Sequence, residues 1–399
     1  MALQTGVNLG IAYRKETAFG VLPANDASAK KLRRTSFALG LKKDSIKSNE
    51  IVPDYQRRAS RHGMRKIDGA IGGELSLGTY ADFFGSILRK VFAAVAPLGA
   101  LTNVTASATA PQFVRASGSW ITDGLRVGMV TRQAGWTTTA TANNTKNFTI
   151  IALTATQMTV AETVVAKASG DSIVVSIPGK VAYVPLTGHT NESYAFEEWA
   201  ADAGQSLRFL GNKVATADIN IPPNDKATVS FGFVGQERSP SAASQFFTNA
   251  VAAGTTQMQT GVSGAVFVNG AATNVMTAFT LQLNGNLEAV GVIGSKITPD
   301  VFVGAVDVSG SFSTLWNGAT FDGYFDNETE VPLIVRLLDS EAPACDFLVI
   351  TVPAVKLSGG DMADAEKAVI QNFQYTASIG GGGANGYEAT TIMIQDSLA

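Results

Sequence analysis

The chain has 399 residues, a formal net charge of -3 and a sequence pI near 5.6, so it lacks the basic surplus typical of dedicated DNA- or RNA-binding proteins. With 45% hydrophobic and only 16% charged residues, it is expected to bury large cores, which excludes a disordered chain. A single cysteine, Cys345, excludes an intramolecular disulfide framework and suits a reducing compartment.

Neither a membrane span nor a secretion signal is expected. No apolar run reaches the ~18 residues that a membrane-spanning helix needs. The N-terminal stretch MALQTGVNLGIAYRKETAFG also lacks a continuous hydrophobic signal core. We therefore expect no membrane anchor and a protein that is made and kept in a cytosol.

Strand patterns dominate from the N-terminal region onward. Thr35–Leu41 reads TSFALGL, with an apolar residue at every second position, as expected of a strand with one buried face. Gly72–Leu88 reads GGELSLGTYADFFGSIL, a strand that leads into a short helix over Tyr80–Phe92. Further on, SYAFEEW (Ser193–Trp199) predicts another strand. Lys213–Gly235 then predicts a strand, a polar turn at PPND and a second strand.

Residues 98–186 interrupt this pattern. They contain short strands such as FTIIALTATQMTVAE and SIVVSI, preceded by a stretch rich in threonine, asparagine and glycine. Such regular spacing predicts a small all-β domain inserted into the first unit. Insertions of this kind are tolerated at exposed loop tips, so we expect this domain to protrude.

The pattern before and after the insertion is repeated later in the chain. Thr277–Leu283 (TAFTLQL) is a near twin of Thr35–Leu41 at an offset of 242 residues. Ser309–Phe325 matches Gly72–Leu88 at an offset of 237, which aligns Gly73 with Gly310, and it places a second short helix around Ala319–Phe325. Two further strand segments follow, over residues 331–339 and 352–378. Two matches in the same order indicate an internal duplication.

The predicted fold is therefore mainly β, with two tandem β-sandwich or barrel domains that each carry one short helix. The first domain is discontinuous, over residues 1–97 and 187–240, because residues 98–186 form the inserted domain. The second domain covers residues 241–378, and residues 379–399 form a C-terminal arm.

No convergent catalytic or metal-binding group stands out. His62 and His189 are the only histidines, and both lie in loop-like sequence without metal-ligand spacing. Cys345 is interpreted as a small buried side chain. No Walker A loop or Rossmann fingerprint is present. The sequence therefore predicts no catalytic residue, no metal and no cofactor, and a protein that is not an enzyme.

A long polar segment, Asp44–Lys66, is unusual for a connection within a compact domain. It carries a basic cluster in an acidic chain: Arg57, Arg58, Arg61, Arg65 and Lys66. One interpretation is a solvated flexible loop, and the other is an arm that pairs with acidic groups on a neighbouring subunit. Nucleic-acid binding by this loop is less supported, because Tyr55 is its one aromatic residue.

The C-terminal segment combines a glycine-rich stretch, Gly380–Gly386, with a strand that alternates apolar and polar residues. We interpret the glycines as a hinge and the strand as one that adds to the sheet edge of a neighbouring subunit. Its expected contact residues are Tyr387, Ile392 and Ile394.

Several segments together resemble the major tail tube proteins of long-tailed, siphovirus-like bacteriophages. They are GIAYRKETAFGVLP (Gly10–Pro23), SFALGLKKDSIKSNEI, GAIGGELSLGTYADFFGSIL, EWAADAGQSLRFLGNKVATADINIPPNDKATVSFGFVG and the later repeat. The resemblance covers most of the chain outside residues 98–186. It is carried by strand patterns and contains no catalytic signature.

This resemblance implies a non-enzymatic subunit whose β-sandwich barrels form rings of six, stacked into a tube through which phage DNA passes. If one chain supplies two barrels, three chains close a ring with pseudo-six-fold symmetry; with one barrel per chain the ring is a homohexamer. The long loop corresponds to the segment that contacts the adjacent ring, and its candidate residues are Ile51, Asp54, Tyr55, Arg57, Arg58, Arg61, Arg65 and Lys66.

The resemblance also implies partners and a location. The partners are other copies of the chain, a tape-measure protein, tail terminator and distal tail proteins, with transient, sequence-independent contact with DNA in the lumen. The location is the virion tail, assembled in the host cytoplasm. Two alternatives stay open: a tube protein of a contractile injection system, and a β-modular virion decoration, carbohydrate-binding or adhesion protein.

Overall fold

A computed structural model describes residues 3–363, 368–381 and 385–399, and the prediction of a mainly β chain is confirmed. The elements before the interruption are β1 (Leu9–Lys15), β2 (Lys30–Lys31), β3 (Ser36–Phe37), β4 (Gly40–Ile46), β5 (Arg61–Glu74) and helix α1 (Ala81–Ile87). Those within it are β6 (Leu98–Leu101), β7 (Val104–Ser107), β8 (Gln112–Arg115), β9 (Val130–Ala134), β10 (Asn147–Leu153), β11 (Gln157–Val160), β12 (Ile173–Ser176) and β13 (Lys180–Tyr183).

The remaining elements follow in two groups. The first group is β14 (Tyr194–Ala200), β15 (Gln205–Ile221), β16 (Thr228–Gly235) and β17 (Glu237–Ala242). The second group is β18 (Gly264–Val268), β19 (Ala271–Thr273), β20 (Met276–Asn284), β21 (Glu288–Ala289), β22 (Val301–Phe302), β23 (Asp307–Leu315), helix α2 (Thr320–Asp326), β24 (Val331–Leu338), β25 (Phe347–Ala363), β26 (Ile370–Ser378) and β27 (Met393–Asp396). In the described parts of the chain, no helix has the length and apolar character needed to cross a membrane.

The strands before β17 and those after it pair in the same order, and all of these pairings are antiparallel. The first half-sheet runs β4–β5–β16–β15–β14–β1, with β2 on the outer side of β1. The second half-sheet runs β20–β23–β26–β25–β24–β18, with β19 next to β18. In both, the short helix follows the second strand of this order.

The two half-sheets are joined through β15, a strand of 17 residues. Its residues from Thr216 to Ile221 pair with β20, with Thr216 opposite Asn284 and Ile221 opposite Phe279. The same stretch of β15 pairs with β16 on its other edge. The strands from β3 and β4 through β15 and β20 to β25 therefore form one continuous sheet.

Pairing corrects the alignment expected from the sequence, because Gly310 corresponds to Gly69 and not to Gly73. Leu281 lies opposite Gly310. The residue 242 positions before Leu281 is Leu39. Phe37 pairs with Ile71 and Gly40 pairs with Asp68, so Leu39 lies opposite Gly69. The segment GAIGG offers glycines four residues apart, and sequence matching selected the wrong one.

The shared role of the two glycines supports this equivalence. A Cβ atom on Gly310 would overlap the main-chain oxygen of Thr280, and one on Gly69 would overlap the main-chain oxygen of Ala38. Thr280 and Ala38 are themselves related by the offset of 242. Both glycines therefore allow the neighbouring strand to approach at the same point of the sheet.

One face of this sheet covers a continuous apolar core that draws on both half-sheets. Helix α1 closes the core of the first half through Phe83, whose ring lies 5.4–5.5 Å from those of Tyr194, Phe231 and Phe233. Helix α2 does the same through Phe321, 5.5 Å from Phe312. Helix α1 is shorter than predicted and ends at Ile87, since Arg89 adopts a left-handed φ of 56°.

Strands β6 to β12 form a separate seven-stranded sheet in the order β6–β12–β9–β10–β11–β8–β7. Its apolar core also contains Phe267, Ile334, Phe347 and Val349 from the second half-sheet. Strand β24 and the first part of β25 are therefore covered on both sides, which explains their nearly uninterrupted apolar runs VPLIVRLL and FLVITV. The segment therefore packs against the second half-sheet.

Candidate assembly surfaces

The segment Asp44–Lys66 is a projecting β-hairpin. Strands β4 and β5 pair at its base, and residues 47–60, the larger part of it, form its tip. His62, expected in a loop, lies instead in β5 opposite Ser45. Strand pairing fixes the base of the segment, and its tip is exposed to solvent.

The candidate residues of this hairpin divide into a tip and a base. At the tip, Ile51 and Tyr55 are fully exposed, with relative exposures of 101% and 100%. Asp54 and Arg58 form an ion pair of 3.1 Å there, and Arg57 and Arg61 are also exposed. Apolar side chains that are fully exposed on a projecting tip are the composition expected of a contact surface.

The base residues are held within the chain. Arg65 forms an ion pair with Glu237, and its main-chain nitrogen donates to the oxygen of Lys296 at 2.9 Å. Lys66 stands opposite Lys42 in the ladder. The structure thus does not bring all eight candidate residues together, and Arg65 and Lys66 lie apart from the tip.

The C-terminal strand β27 occupies a different place from the one expected. It pairs with β13 on one edge and with β25 on the other, within its own chain. Ile392 and Ile394 are fully buried, and burial raises the pKa of the half-buried Tyr387 to about 12. The expectation of an arm free to add to a neighbour's sheet is wrong for this folded chain, because both edges of the strand are taken. Residues 382–384 of the expected hinge lie outside the described residues.

Polar contacts tie this C-terminal segment to the seven-stranded sheet. The buried side chain of Gln395 accepts from the main-chain nitrogen of Val130 at 2.7 Å and donates to its oxygen at 3.1 Å. Arg126 and Glu388 form an ion pair of 2.8 Å. The C-terminal segment thus contacts both the seven-stranded sheet and the second half-sheet and holds them together.

Asp396 closes the same strand. Its carboxylate accepts hydrogen bonds from the main-chain nitrogens of Gly78 at 2.8 Å and Leu398 at 2.9 Å. Burial raises the pKa of this carboxyl. The contact with Gly78 links the C-terminal strand to the segment between β5 and α1.

The second face of the continuous sheet borders an open groove of about 750 Å³. Because side chains alternate across a strand, the positions between the core residues all point to this face. They are mostly hydroxyls and amides: Ser36, Asn220, Thr228, Ser230, Thr280, Gln282, Ser309, Ser311, Ser358, Gln374 and Thr376. The sequence analysis used only the apolar positions of this alternation. The polar positions between them could have predicted the polar groove.

Few charges face the groove, and most are paired. Among the described residues that line it, Asp218 is the one carboxylate. At its borders, Lys226 pairs with Glu74 at 2.6 Å and Lys42 with Asp68 at 2.5 Å. The hydrogen bond to Glu74 raises the pKa of Lys226. The groove is therefore a polar, nearly neutral surface.

Two strand edges at the ends of the continuous sheet lack a partner within the described residues. One is the outer edge of β3 and β4, whose recorded pairings are all with β5. The other is the C-terminal part of β25 from Gly359 onward, which pairs with β26 on one side. Unpaired edges present rows of main-chain donors and acceptors to another chain.

Within the described ranges, no group of three or more histidine, cysteine, aspartate or glutamate side chains is arranged to hold a metal ion. Cys345 is buried, as predicted. The candidate functional features are therefore the exposed hairpin tip, the polar groove and the two sheet edges. All of them are suited to contacts between macromolecules.

Comparison with known proteins agrees with this reading. No curated protein sequence matches the chain significantly. The sequence model of the family described as phage tail tube protein matches residues 6–377, which is nearly the whole chain and includes both half-sheets and the seven-stranded sheet. The chain therefore belongs to the phage tail tube protein family.

Proposed function

We propose that this chain is the structural subunit of a phage tail tube, that it assembles into rings, and that stacked rings form the conduit for DNA ejection. The observation that carries the proposal is the continuous sheet, which has an apolar face and a polar groove. At each of its ends, one strand edge has no partner in the part of the chain that the structure describes. A sheet of this kind closes into a ring when copies join edge to edge, and its polar face then lines the channel.

Three chains per ring follow from the two half-sheets. Each half-sheet has the same strand order and its own short helix, which supports one barrel per half-sheet and an origin by duplication. A ring of six barrels then needs three chains, related by three-fold symmetry with pseudo-six-fold character. The seven-stranded sheet would repeat three times around the outside.

The chemistry of the groove suits a passage for DNA. Hydroxyl and amide groups keep the wall hydrated, and unpaired cationic groups that would hold phosphates are scarce along it. DNA contact would then be transient and independent of sequence. The chain would contribute structure and no catalysis.

The hairpin tip is the proposed contact between stacked rings. Ile51 and Tyr55 would enter the apolar surface of the adjacent ring, while Arg57, Arg58 and Arg61 would face carboxylates there. At the ends of the tube, the partners would be a tail terminator and distal tail proteins, with a tape-measure protein inside during assembly in the host cytoplasm.

Electron microscopy of the purified protein tests this proposal. We expect stacked rings or hollow tubes with a central channel and, after averaging, three-fold symmetry. Rings of six chains would contradict the trimeric composition. Monodisperse monomers that bind glycans would contradict the tube itself and would favour the decoration or adhesion alternative.

A further inference from the structure

The junction between the two half-sheets defines how one chain meets the next. Within the chain, β15 joins β20 through a ladder that includes Asp218 opposite Gln282 and Ile219 opposite Leu281. The counterparts of these two strands are β25 and the β3–β4 segment. They lie at opposite ends of the continuous sheet, and each has an edge without a partner among the described residues. The chain thus contains one completed junction and the two separated parts of a second.

The counterparts on β25 follow from strand pairing. Gly69 and Gly310 stand opposite Phe233 and Tyr375, respectively. On β16, Phe231 lies two residues before Phe233 and pairs with Ala217 of β15. On β26, Phe373 lies two residues before Tyr375 and pairs with Gly359 of β25. Gly359 therefore corresponds to Ala217.

A single extra residue then intervenes on β25. The ladder with β26 shifts register between Gly359 and Asp361, which leaves Gly360 as a bulge. Asp361 consequently corresponds to Asp218, and Met362 corresponds to Ile219. The matching aspartates support the register.

The counterparts on the other strand follow from the offset of 242 residues. Leu283, Gln282 and Leu281 correspond to Leu41, Gly40 and Leu39. We propose that β25 of one copy pairs antiparallel with the β3–β4 segment of a second copy, with Gly359 opposite Leu41, Asp361 opposite Gly40 and Met362 opposite Leu39. This inference rests on the proposed tube function and specifies its ring-closing contact.

Burial supports the proposed partner. Ile219 and Leu281, which already meet across the internal junction, are each 1% exposed. Of their counterparts, Leu39 is already buried, at 7% exposure, whereas Met362 is 52% exposed. An apolar side chain at a core-facing position of an unpaired edge is covered when an equivalent strand docks, which is what a second copy of this chain supplies.

Charge is also complementary at this junction. Asp361 would lie opposite Gly40 on the channel face, diagonal to Lys42 of the second copy. Neither edge has a proline between Gly359 and Ala363 or between Ser36 and Leu41. Both edges therefore lack proline, one of the residues that block strand addition.

Cysteine cross-linking tests the register. We expect Gly40→Cys with Asp361→Cys to form disulfides between chains in assembled protein, because directly opposed positions are close enough to bridge. A Cβ on Gly40 makes only an ordinary van der Waals contact, with the main-chain oxygen of Asp68 at 3.9 Å. The internal pair Asp218→Cys with Gln282→Cys is the matched positive control, and it should close within one chain.

Two further proteins complete the experiment. Ser36→Cys with Asp361→Cys shifts one partner by four residues, about 13 Å along the strand, and should not cross-link. The unmodified chain, whose one cysteine is buried, should stay monomeric on non-reducing denaturing gels. Covalent products of Gly40→Cys with Asp361→Cys should end at the trimer, since a three-chain ring closes on itself.

The outcomes separate this inference from the proposed function. One outcome is that microscopy shows rings and the internal control pair forms its disulfide, but the inter-chain disulfide does not form. This outcome would overturn the strand pairing and leave the tube proposal intact. Cross-linked ladders beyond three chains would overturn closure by three copies. Absence of rings for the unmodified chain would remove the tube proposal itself.

Discussion

The main-chain oxygen of Thr280 lies in the space that a side chain on Gly310 would occupy. Tyr375 reaches the same point from the other side, and its hydroxyl donates to this oxygen at 2.8 Å. A glycine is therefore required where three strands of the second half-sheet meet.

Replacement of this glycine tests the packing directly. We expect Gly310→Ala to lower the free energy of unfolding by about 1–3 kcal/mol, because a main-chain atom cannot move aside without disturbing the ladder. Chemical denaturation of the unassembled chain measures the change. Gly323→Ala in helix α2 is the matched control. Its new Cβ meets no atom within 4 Å, so its stability should stay equal or rise slightly. Equal stability of both variants would contradict the prediction.

An ion pair fastens the seven-stranded sheet to the second half-sheet. Arg336 contacts Glu162 and also donates to the hydroxyl of Thr149 at 2.6 Å. The two charged side chains are only 14% and 16% exposed, so loss of one leaves the other without compensation. We expect Glu162→Gln to destabilise the chain by about 3 kcal/mol.

A double-mutant cycle checks the origin of that loss. Arg336→Met combined with Glu162→Gln should recover part of the stability, because no unpaired charge then remains buried. Denaturation curves of the two single variants and the double variant supply the coupling energy. Strict additivity would show that the two side chains act independently.

The pKa of Asp396 predicts a pH dependence of stability. Because burial raises it, the folded chain holds this proton to higher pH than the unfolded chain, whose aspartates titrate near ~3.9. The favourable contribution is complete below that value and is lost as the pH rises through the raised pKa. The stability difference between the unmodified chain and Asp396→Asn should therefore shrink or reverse as the pH increases.

Asp171 provides a control of opposite sign. Hydrogen bonds from Thr137 lower its pKa, so its contribution is present above the unfolded value and is lost as the pH falls. Denaturation midpoints measured across pH 3–8 for Asp171→Asn should show the opposite slope. Identical pH profiles for both variants would contradict the assignment of the two shifts.

Hairpin-tip substitutions separate folding from stacking. Ile51→Ala with Tyr55→Ala should leave the unfolding free energy within about 0.5 kcal/mol, since both side chains are fully exposed. The same variant should yield single rings or short tubes in micrographs. Arg65→Ala, at the base of the hairpin, is the contrasting variant, and it should alter stability through loss of its contact with Glu237. Full-length tubes from the tip variant would exclude the tip from ring stacking.

Charge placed in the groove tests the channel assignment. Ser230→Lys with Ser311→Lys adds cations to a nearly neutral face, so assembled tubes should retain DNA more strongly, with an affinity that falls as salt increases. Thr154→Lys, on the exposed surface of the seven-stranded sheet, is the external control. We expect the groove variant to protect bound DNA from nuclease and the control to leave it accessible. Equal protection by both would place the groove outside the channel.

The local sequence pattern determined the secondary structure and the order of similar segments in this protein. Alternation in TSFALGL and TAFTLQL specified strands with one apolar face, and the order of similar segments indicated two related halves before any contact was known. The positions of both short helices could also be predicted from the sequence, because aromatic residues cluster directly after a strand. These features depend on residues close together in the chain.

Only the tertiary structure decided which residues meet across long separations. The counterpart of Gly310 is set by ladder register, which local matching missed by four residues. The place of β27 is set by two open edges, on β13 and β25, that sequence alone does not show to be adjacent. The edges of β25 and of the β3–β4 segment that lack a partner within the described ranges are also set by the tertiary structure. Strand pairing is a non-local choice made by the whole sheet, because any alternating strand can satisfy its hydrogen bonds with many others.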